Sequence, residues 1–176
     1  MTADHQTKDQ SPQETDAVEL LVRQHRELED VLARVLDAGS DAEKRTLFAR
    51  VGDHLGVHIA SEEQVFYPAV HAARTEEDLL ESLEEHLSLK RFLADLLALD
   101  PSDRSFDPKF KVMKEQAEHH HKEEEEYLFV KVRKMFDGPA REALGKEMLA
   151  LQTQMRREGE PRAVVASETA AAAPLK

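Results

Sequence analysis

The sequence predicts an all-α protein, an antiparallel up-down four-helix bundle with a short fifth helix at its C-terminal end. Charged residues make up 34% of the 176 residues, while Gly and Pro number only 6 and 7, which is the profile of a soluble helical protein. Apolar residues recur at intervals of three and four along four long segments, as on the buried face of a helix. The connections between the first three segments are short, so neighbouring helices should run antiparallel.

The predicted helices begin at recognisable capping signals. The segment from Ser11 to Glu14 combines an N-cap, a proline at the first helical position and a capping-box glutamate. The segment from Ser40 to Glu43 is a second capping box. Pro68 lies late in the second helix and predicts a kink or break near Tyr67. The predicted helices run from Ser11 to Gly39, from Ser40 to about Ala73, from Thr75 to about Leu99, from Asp107 to about Phe136 and from Ala140 to Arg156.

One domain is expected over residues 12–157, because a chain of this length can bury one substantial core. Residues 1–11 are polar, and residues 158–176 are rich in alanine without an amphipathic stripe. We therefore expect both end segments to be flexible tails.

The composition excludes several classes of function. A formal net charge of −12 disfavours a nucleic-acid partner, because phosphate contacts need clustered Lys and Arg. The chain has no Cys, which excludes disulfides, Fe–S clusters and thiol catalysis and leaves histidine and carboxylates as metal ligands. The N-terminus lacks the apolar core of a secretion signal, and no apolar run approaches the ~18 residues that span a bilayer. We expect a cytoplasmic protein without a membrane partner.

Each of the four long segments carries a histidine on its apolar stripe, where a helical bundle usually places leucine. The stripes are Val18, Leu21, His25, Leu28, Leu32 and Val35; Val51, Leu55, His58, Glu62 and Val65; Leu79, Leu83, His86 and Leu93; and Met113, Ala117, His120, Glu124 and Leu128. All four histidines lie within about one turn of the estimated midpoints of their helices. Midpoints meet at one level in an antiparallel bundle, so we expect the imidazoles to converge.

The second and fourth helices repeat one pattern. His58 and Glu62 are four residues apart, as are His120 and Glu124, so each pair shares a helical face. Each pair follows a helix with a single histidine at a similar distance. The spacing therefore predicts a pseudo-two-fold site with two His-x-x-x-Glu arms and two single-histidine arms.

A bound metal explains these buried ionisable groups. An unpaired charge in a dry core costs several kcal/mol, against a total stability of about 5–15 kcal/mol. Two divalent ions bridged by the two carboxylates would pair all of these groups. Mixed imidazole and carboxylate ligands favour iron, with manganese or zinc as weaker alternatives.

The segments HIASEEQVFYP and HHHKEEEEYLF resemble the metal-bearing segments of the hemerythrin-like family, also called HHE cation-binding domains. The resemblance spans about Ala17 to Met135. It implies two iron ions with His25, His58, His86 and His120 as terminal ligands and Glu62 and Glu124 as bridges. An oxo or hydroxo bridge and an exchangeable position for O2, NO or peroxide would complete the centre.

The third helix departs from the oxygen-carrying members of the family, which have a second histidine one turn from the first. Here the flanking positions are Ser82 and Lys90. The resemblance then implies one ligand fewer and an additional open coordination position, which argues against simple reversible O2 carriage.

Several neighbouring residues have open interpretations. Neighbours on a helix differ by about 100°, so the stripe selects His120 from the run of three histidines, and His119 and His121 are expected to be solvated. His54, one turn before His58, is interpreted as lining the bundle; the alternative is that it binds the metal or supports a ligand. Tyr127 is interpreted as a core tyrosine that could instead reach the irons.

Three functions remain possible from the sequence. The first is a non-haem di-iron protein that binds O2, NO or iron for sensing, buffering or storage, a sensor requiring a separate protein partner. The second is a di-iron enzyme that decomposes peroxide or acts in oxidative-stress defence. The third is a metal-free helical interaction protein, which the cost of the buried ionisable groups disfavours.

Overall fold

A computed structural model describes residues 15–176, and helices joined by short connections account for most of these residues. The α-helices are α1 (Ala17–Val35), α2 (Asp41–Ser61), α3 (Tyr67–Val70), α4 (Glu76–Leu97), α5 (Phe106–Glu123), α6 (Phe129–Met135), α7 (Gly138–Glu158) and α8 (Pro161–Ala166). Two π-helical turns, π1 (Glu62–Phe66) and π2 (Glu124–Leu128), join α2 to α3 and α5 to α6. No strand occurs between residues 15 and 176, and the all-α prediction is confirmed there. Within the same residues, no helix has the length and apolar character needed to cross a membrane.

The second predicted capping box is present at the start of α2. The hydroxyl of Ser40 accepts a hydrogen bond from the backbone N–H of Glu43 at 3.1 Å. The Glu43 carboxylate in turn accepts one from the backbone N–H of Gly39 at 2.8 Å, so two free donors at the helix start are satisfied. Asp16 caps α1. The capping signal predicted at Ser11 to Glu14 lies outside the described residues.

The irregularity predicted near Tyr67 takes the form of a π-helical turn. The backbone N–H of Tyr67 bonds to the carbonyl of Glu62, five residues back. The equivalent turn π2 has the same pattern, although Val130 stands where Pro68 follows π1. Proline is therefore not required for the wider turn. Both π-helical turns begin at a glutamate of a His-x-x-x-Glu pair, and such turns often mark functional sites.

The apolar core consists of two clusters separated by a polar layer. One cluster includes Leu28 of α1 and Leu89 of α4, and the other includes Leu21 and Leu83 of the same helices. Helix α1 packs against α2 and α7, and α4 packs against α5. Each of α1, α2, α4 and α5, taken with any π-helical turn that follows it, carries its predicted ligand histidine between residues of one cluster and residues of the other. The polar residues between the clusters therefore lie in one layer of the molecule.

The segment after Glu158 differs from the predicted tail. Residues Pro161–Ala166 form α8, which packs against α2 and α4 and buries Val165. A Cβ atom on Gly56 would lie 3.0 Å from the carbonyl carbon and oxygen of Pro161, so the glycine permits this close approach. The sequence lacks an amphipathic stripe here because α8, which packs mainly against α2, has only six residues. Helix α7 lies where the sequence predicts a fifth helix.

Candidate metal centre

The six predicted ligands meet in the layer between the two apolar clusters. We call these six residues the central layer. They are each at most 2% exposed: His25, His58, Glu62, His86, His120 and Glu124. Every imidazole directs Nε2 toward a carboxylate oxygen of one glutamate. The Nε2-to-oxygen distances are 3.3 Å for His25 and Glu124, 3.4 Å for His58 and Glu62, 3.3 Å for His86 and Glu62, and 3.6 Å for His120 and Glu124. The structure thus brings together all six residues that the sequence singles out.

The other ring nitrogen of each histidine is held by an acceptor outside the central layer. The Nδ1 atoms of His25, His58, His86 and His120 lie 2.8, 3.1, 3.1 and 2.7 Å from oxygens of Glu125, Gln24, Glu63 and Glu85, respectively. An acceptor at Nδ1 favours the tautomer in which Nε2 carries a lone pair, which is the form that binds metals. Two of these acceptors directly follow a glutamate of the central layer, so the Glu-Glu pairs in the sequence are the signal that could have identified them.

The long C-terminal helix α7 also supports the centre. Gln152 is buried and donates hydrogen bonds from Nε2 to Gln24 Oε1 at 3.2 Å and to Ser61 Oγ at 2.8 Å. Gln24 in turn donates to Gln152 Oε1 at 2.7 Å and presents its own oxygen to His58. The orientation of His58 thus depends on a side chain from the fifth predicted helix, which sequence reasoning did not assign to the site.

Several atoms that face the centre of the layer have no hydrogen-bond partner among residues 15–176. They are Nε2 of His25 and His58, both carboxylate oxygens of Glu62, and Oε2 of Glu124. Burying such groups without partners costs free energy, so their arrangement points to a missing partner. Ligand atoms of His25, His58, Glu62 and Glu124 lie within 4.8 Å of one another, as do those of Glu62, His86 and His120. The residues therefore fit two adjacent cations that share Glu62.

Burial and the neighbouring charges shift the pKa values of these groups in opposite directions. Burial, reinforced by the carboxylate of Glu124, raises the pKa of Glu62 well above its ordinary value. Burial also lowers the pKa of His58 and of His86, which keeps both imidazoles neutral. For Glu124, burial is outweighed by His120 and His25, which lower its pKa. The two carboxylates of the layer therefore differ, because the pKa is raised in Glu62 and lowered in Glu124.

The sequence profile of the hemerythrin HHE cation-binding domain matches residues 16–132, which is more than half of the chain. The chain belongs to this family. A curated relative from Nostoc sp. (strain PCC 7120), named DNA nickase, is 25% identical over 128 residues. That alignment covers 72% of this chain and 36% of the relative, so the chain spans about a third of the length of the curated relative it matches. No solved structure is significantly similar to the chain.

One imidazole in this hemerythrin HHE domain was not expected in the interior. His119 is exposed, as predicted, but the prediction that His121 is solvated is wrong, because His121 is 1% exposed. Helix α5 is covered on two sides, so its buried sector is wider than the 100° between neighbouring residues. His120 faces His86, while His121 packs against His25 and His58. Burial lowers the pKa of His121, and neither ring nitrogen has a partner within residues 15–176.

The orientation of His121 argues against a shared metal with His25. The two ring centroids are 4.0 Å apart and the planes differ by 8°, and coplanar rings this close would overlap, so the rings are stacked face to face. A metal lies in the plane of an imidazole that binds it, and two stacked planes inclined by only 8° do not meet near the rings. Nitrogens of His25, His58 and His121 do lie within 4.8 Å of one another, but ligation by all three would require one ring to rotate.

A tyrosine reaches the centre, but it is Tyr67 and not Tyr127. The Tyr67 hydroxyl donates a hydrogen bond to Glu124 Oε1 at 2.8 Å and lies 3.3 Å from His86 Nε2. Tyr127 is 56% exposed, so both interpretations made for it are wrong. In a π-helical turn, residues five positions apart lie on the same face of the helix. Tyr67 is five residues after Glu62, so both side chains face the centre. Tyr127 is three residues after Glu124, and because π2 is also wider than an α-helix, this spacing places Tyr127 on a different face, toward solvent.

The positions flanking His86 are not occupied by further metal ligands. Lys90 is buried, and its ammonium lies 2.7 Å from Glu63 and 2.8 Å from Glu168. Ser82 is also buried. His54 lies outside the central layer, with Nε2 3.5 Å from Glu27, which agrees with a histidine at the edge of the helix packing. No second histidine therefore lies one turn from His86, which is the difference from the oxygen-carrying members of the family that the sequence indicates.

Proposed function

We propose that this hemerythrin HHE domain is a non-haem di-iron protein that binds O2, NO or iron for sensing, buffering or storage. The observation that carries the proposal is the set of unpartnered, buried nitrogen and oxygen atoms that face one another in the central layer. A donor set of four imidazoles and two carboxylates suits iron, and manganese and zinc are the alternatives. Bound iron would supply the affinity for a diatomic ligand and one-electron redox chemistry. Glu62 and Glu124 would bridge the two ions, and the four histidines would be the terminal ligands.

The arrangement of helices that we propose around this centre is an antiparallel up-down four-helix bundle. Its support is that α1, α2, α4 and α5 each contribute a histidine from the level at which the two apolar clusters meet. Short connections between successive helices favour antiparallel neighbours. The remaining long helix, α7, would lie against the bundle and hold Gln24 in place.

The proposal is tested by measuring metal content. The full chain is freed of metal, loaded with Fe2+ without oxygen and analysed by native mass spectrometry, with an ultraviolet–visible spectrum after oxidation. We expect two irons per chain and near-ultraviolet absorption that the metal-free chain lacks. A chain that remains stably folded and takes up no metal would overturn the proposal and favour a helical interaction protein.

A second candidate function is the decomposition of peroxide. The observation that favours it is the hydroxyl of Tyr67, which lies inside the centre and donates to Glu124. Burial and the nearby carboxylates raise the pKa of Tyr67, so the hydroxyl stays protonated and can act as a proton donor. Rapid peroxide turnover by the iron-loaded protein, lost in Tyr67→Phe with both irons retained, would favour this function over reversible binding.

We do not extend to this chain the DNA cleavage that the name of the Nostoc relative indicates. The formal net charge of −12 opposes binding to phosphates, and the aligned region is a minor part of that relative. We propose instead that the partners are a diatomic ligand or peroxide, with a separate protein partner if the domain is a sensor.

A further inference from the structure

A pocket of about 100 Å³ opens between α4 and the α5–π2 segment, beside the central layer. We call it the acidic pocket, because five carboxylates line it: Asp78, Glu81, Glu85, Glu123 and Glu124. Lys131 pairs with Asp78 at 2.6 Å. The other carboxylates outnumber the cations that contact them, so the pocket carries negative charge toward solvent.

The acidic pocket reaches the proposed metal ligands directly. Glu124 belongs both to its lining and to the central layer, and it is buried with Oε2 unpartnered among the described residues. Glu85 lines the pocket as well, and it accepts a hydrogen bond from Nδ1 of His120 at 2.7 Å. Glu124 and Glu85 therefore connect the acidic pocket with the central layer.

Another polar approach to the central layer lies at Lys90, and its carboxylates are largely neutralised by lysine. There the buried ammonium of Lys90 is ion-paired with Glu63 and Glu168, so it already occupies the carboxylates that an incoming cation would need. Above and below the layer, the two apolar clusters offer a cation no oxygen or nitrogen ligands. Of these approaches, the acidic pocket offers a divalent cation the most carboxylates that are not paired with lysine.

Three side chains near the acidic pocket could hold a cation on its way in. Ligand atoms of Glu85, His119 and Glu123 lie within 4.8 Å of one another, and all three residues are accessible to solvent. His119 Nε2 is 3.3 Å from a Glu123 oxygen. One imidazole and two carboxylates suit Fe2+ and similar ions, and solvent exposure keeps such binding weak and exchangeable.

We propose that the acidic pocket is the uptake route for divalent cations, with Glu85, His119 and Glu123 as a transient holding site. This inference rests on the proposed function, because it needs a metal centre as its destination. The pocket's carboxylates concentrate cations from solution and replace part of their water shell. Glu124 then receives the ion from the pocket side.

The test is the rate at which the metal-free full chain takes up Co2+, followed by its visible absorption in a stopped-flow instrument. Glu81→Gln and Glu81→Lys change a carboxylate that lines the pocket without belonging to the centre or to the holding site. We expect uptake to slow in that order, by about tenfold for Glu81→Lys at low ionic strength, and the difference to shrink with added salt. The final stoichiometry should remain two Co2+ per chain.

Matched substitutions separate the pocket from the overall charge. Glu84 is exposed on the same helix and does not line the pocket, so Glu84→Gln and Glu84→Lys should load at nearly the wild-type rate. For the holding site, Glu123→Gln should slow uptake more than Glu126→Gln, an exposed neighbour. Equal rates for the Glu81 and Glu84 series would overturn the route. Failure of the wild-type chain to bind Co2+ or Fe2+ would instead overturn the proposed function itself.

Discussion

His121 lies flat against His25, with ring centroids 4.0 Å apart and planes inclined by 8°. His121 therefore differs from its sequence neighbour His120. His120 directs Nε2 at Glu124, while both nitrogens of His121 lack partners in the described chain. The pair therefore offers a matched comparison of a ligand with a buried neighbour.

We predict that His120→Leu lowers the metal content well below two per chain, whereas His121→Leu retains two. Leucine at position 121 removes buried polar atoms without partners, so the metal-free form should gain about 1–3 kcal/mol in the free energy of unfolding. Native mass spectrometry and urea denaturation measure the two effects. Loss of metal in His121→Leu would show instead that its ring rotates to become a ligand.

Glu62 provides a second test, because it is the carboxylate shared by the two groups of ligand atoms. In the metal-free protein its pKa is raised by burial, so the neutral isostere Glu62→Gln should cost the metal-free fold little. The variant should lose the stabilisation that metal gives the wild type, which is about 2.7 kcal/mol at a free metal concentration a hundredfold above Kd. Thermal unfolding with and without Fe2+ measures this. A metal-dependent rise in Tm equal to that of the wild type would contradict the bridging role.

The central layer could be predicted from the sequence because helical periodicity fixes which residues share a face. His25 and His86 interrupt leucine stripes, and the four-residue spacing places His58 with Glu62. What the sequence could not give is the consequence of the π-helical turns. The first of them places Tyr67, five residues after Glu62, on the same face as this glutamate, whereas residues five apart on an α-helix lie on different faces.

Contacts between elements distant in the chain were also beyond the sequence pattern. The inward position of His121 depends on α5 being covered on two sides, and periodicity along one helix does not contain that information. The support that Gln152 gives to Gln24 joins residues 128 positions apart. Each of these features depends on tertiary packing rather than on local propensity.

The metal affinity should fall as the pH is lowered from 8 to 6. Burial tends to lower the pKa of His25, but the carboxylates of Glu124 and Glu125 outweigh it, and the pKa is raised above 6.5. The metal-free protein thus holds a proton on His25 below this raised pKa, and a metal must displace it. Each displaced proton weakens binding by about tenfold per pH unit below its pKa. Calorimetric titration with Co2+ across this range measures the slope, and a pH-independent affinity would contradict the assignment of His25.

The docking of α8 on α2 yields a prediction that does not involve metal. A Cβ atom on Gly56 would lie 3.0 Å from the backbone of Pro161, whereas one on Gly138 would meet nothing within 4 Å. Gly56→Ala should therefore lower the free energy of unfolding by about 1–3 kcal/mol, or displace α8. Gly138→Ala, the matched control, should change it by less than about 1 kcal/mol. Chemical denaturation gives the stabilities, and hydrogen exchange at residues 161–166 reports whether α8 has moved. If Gly56→Ala matched the control in both measurements, α8 would not be held against this glycine in solution.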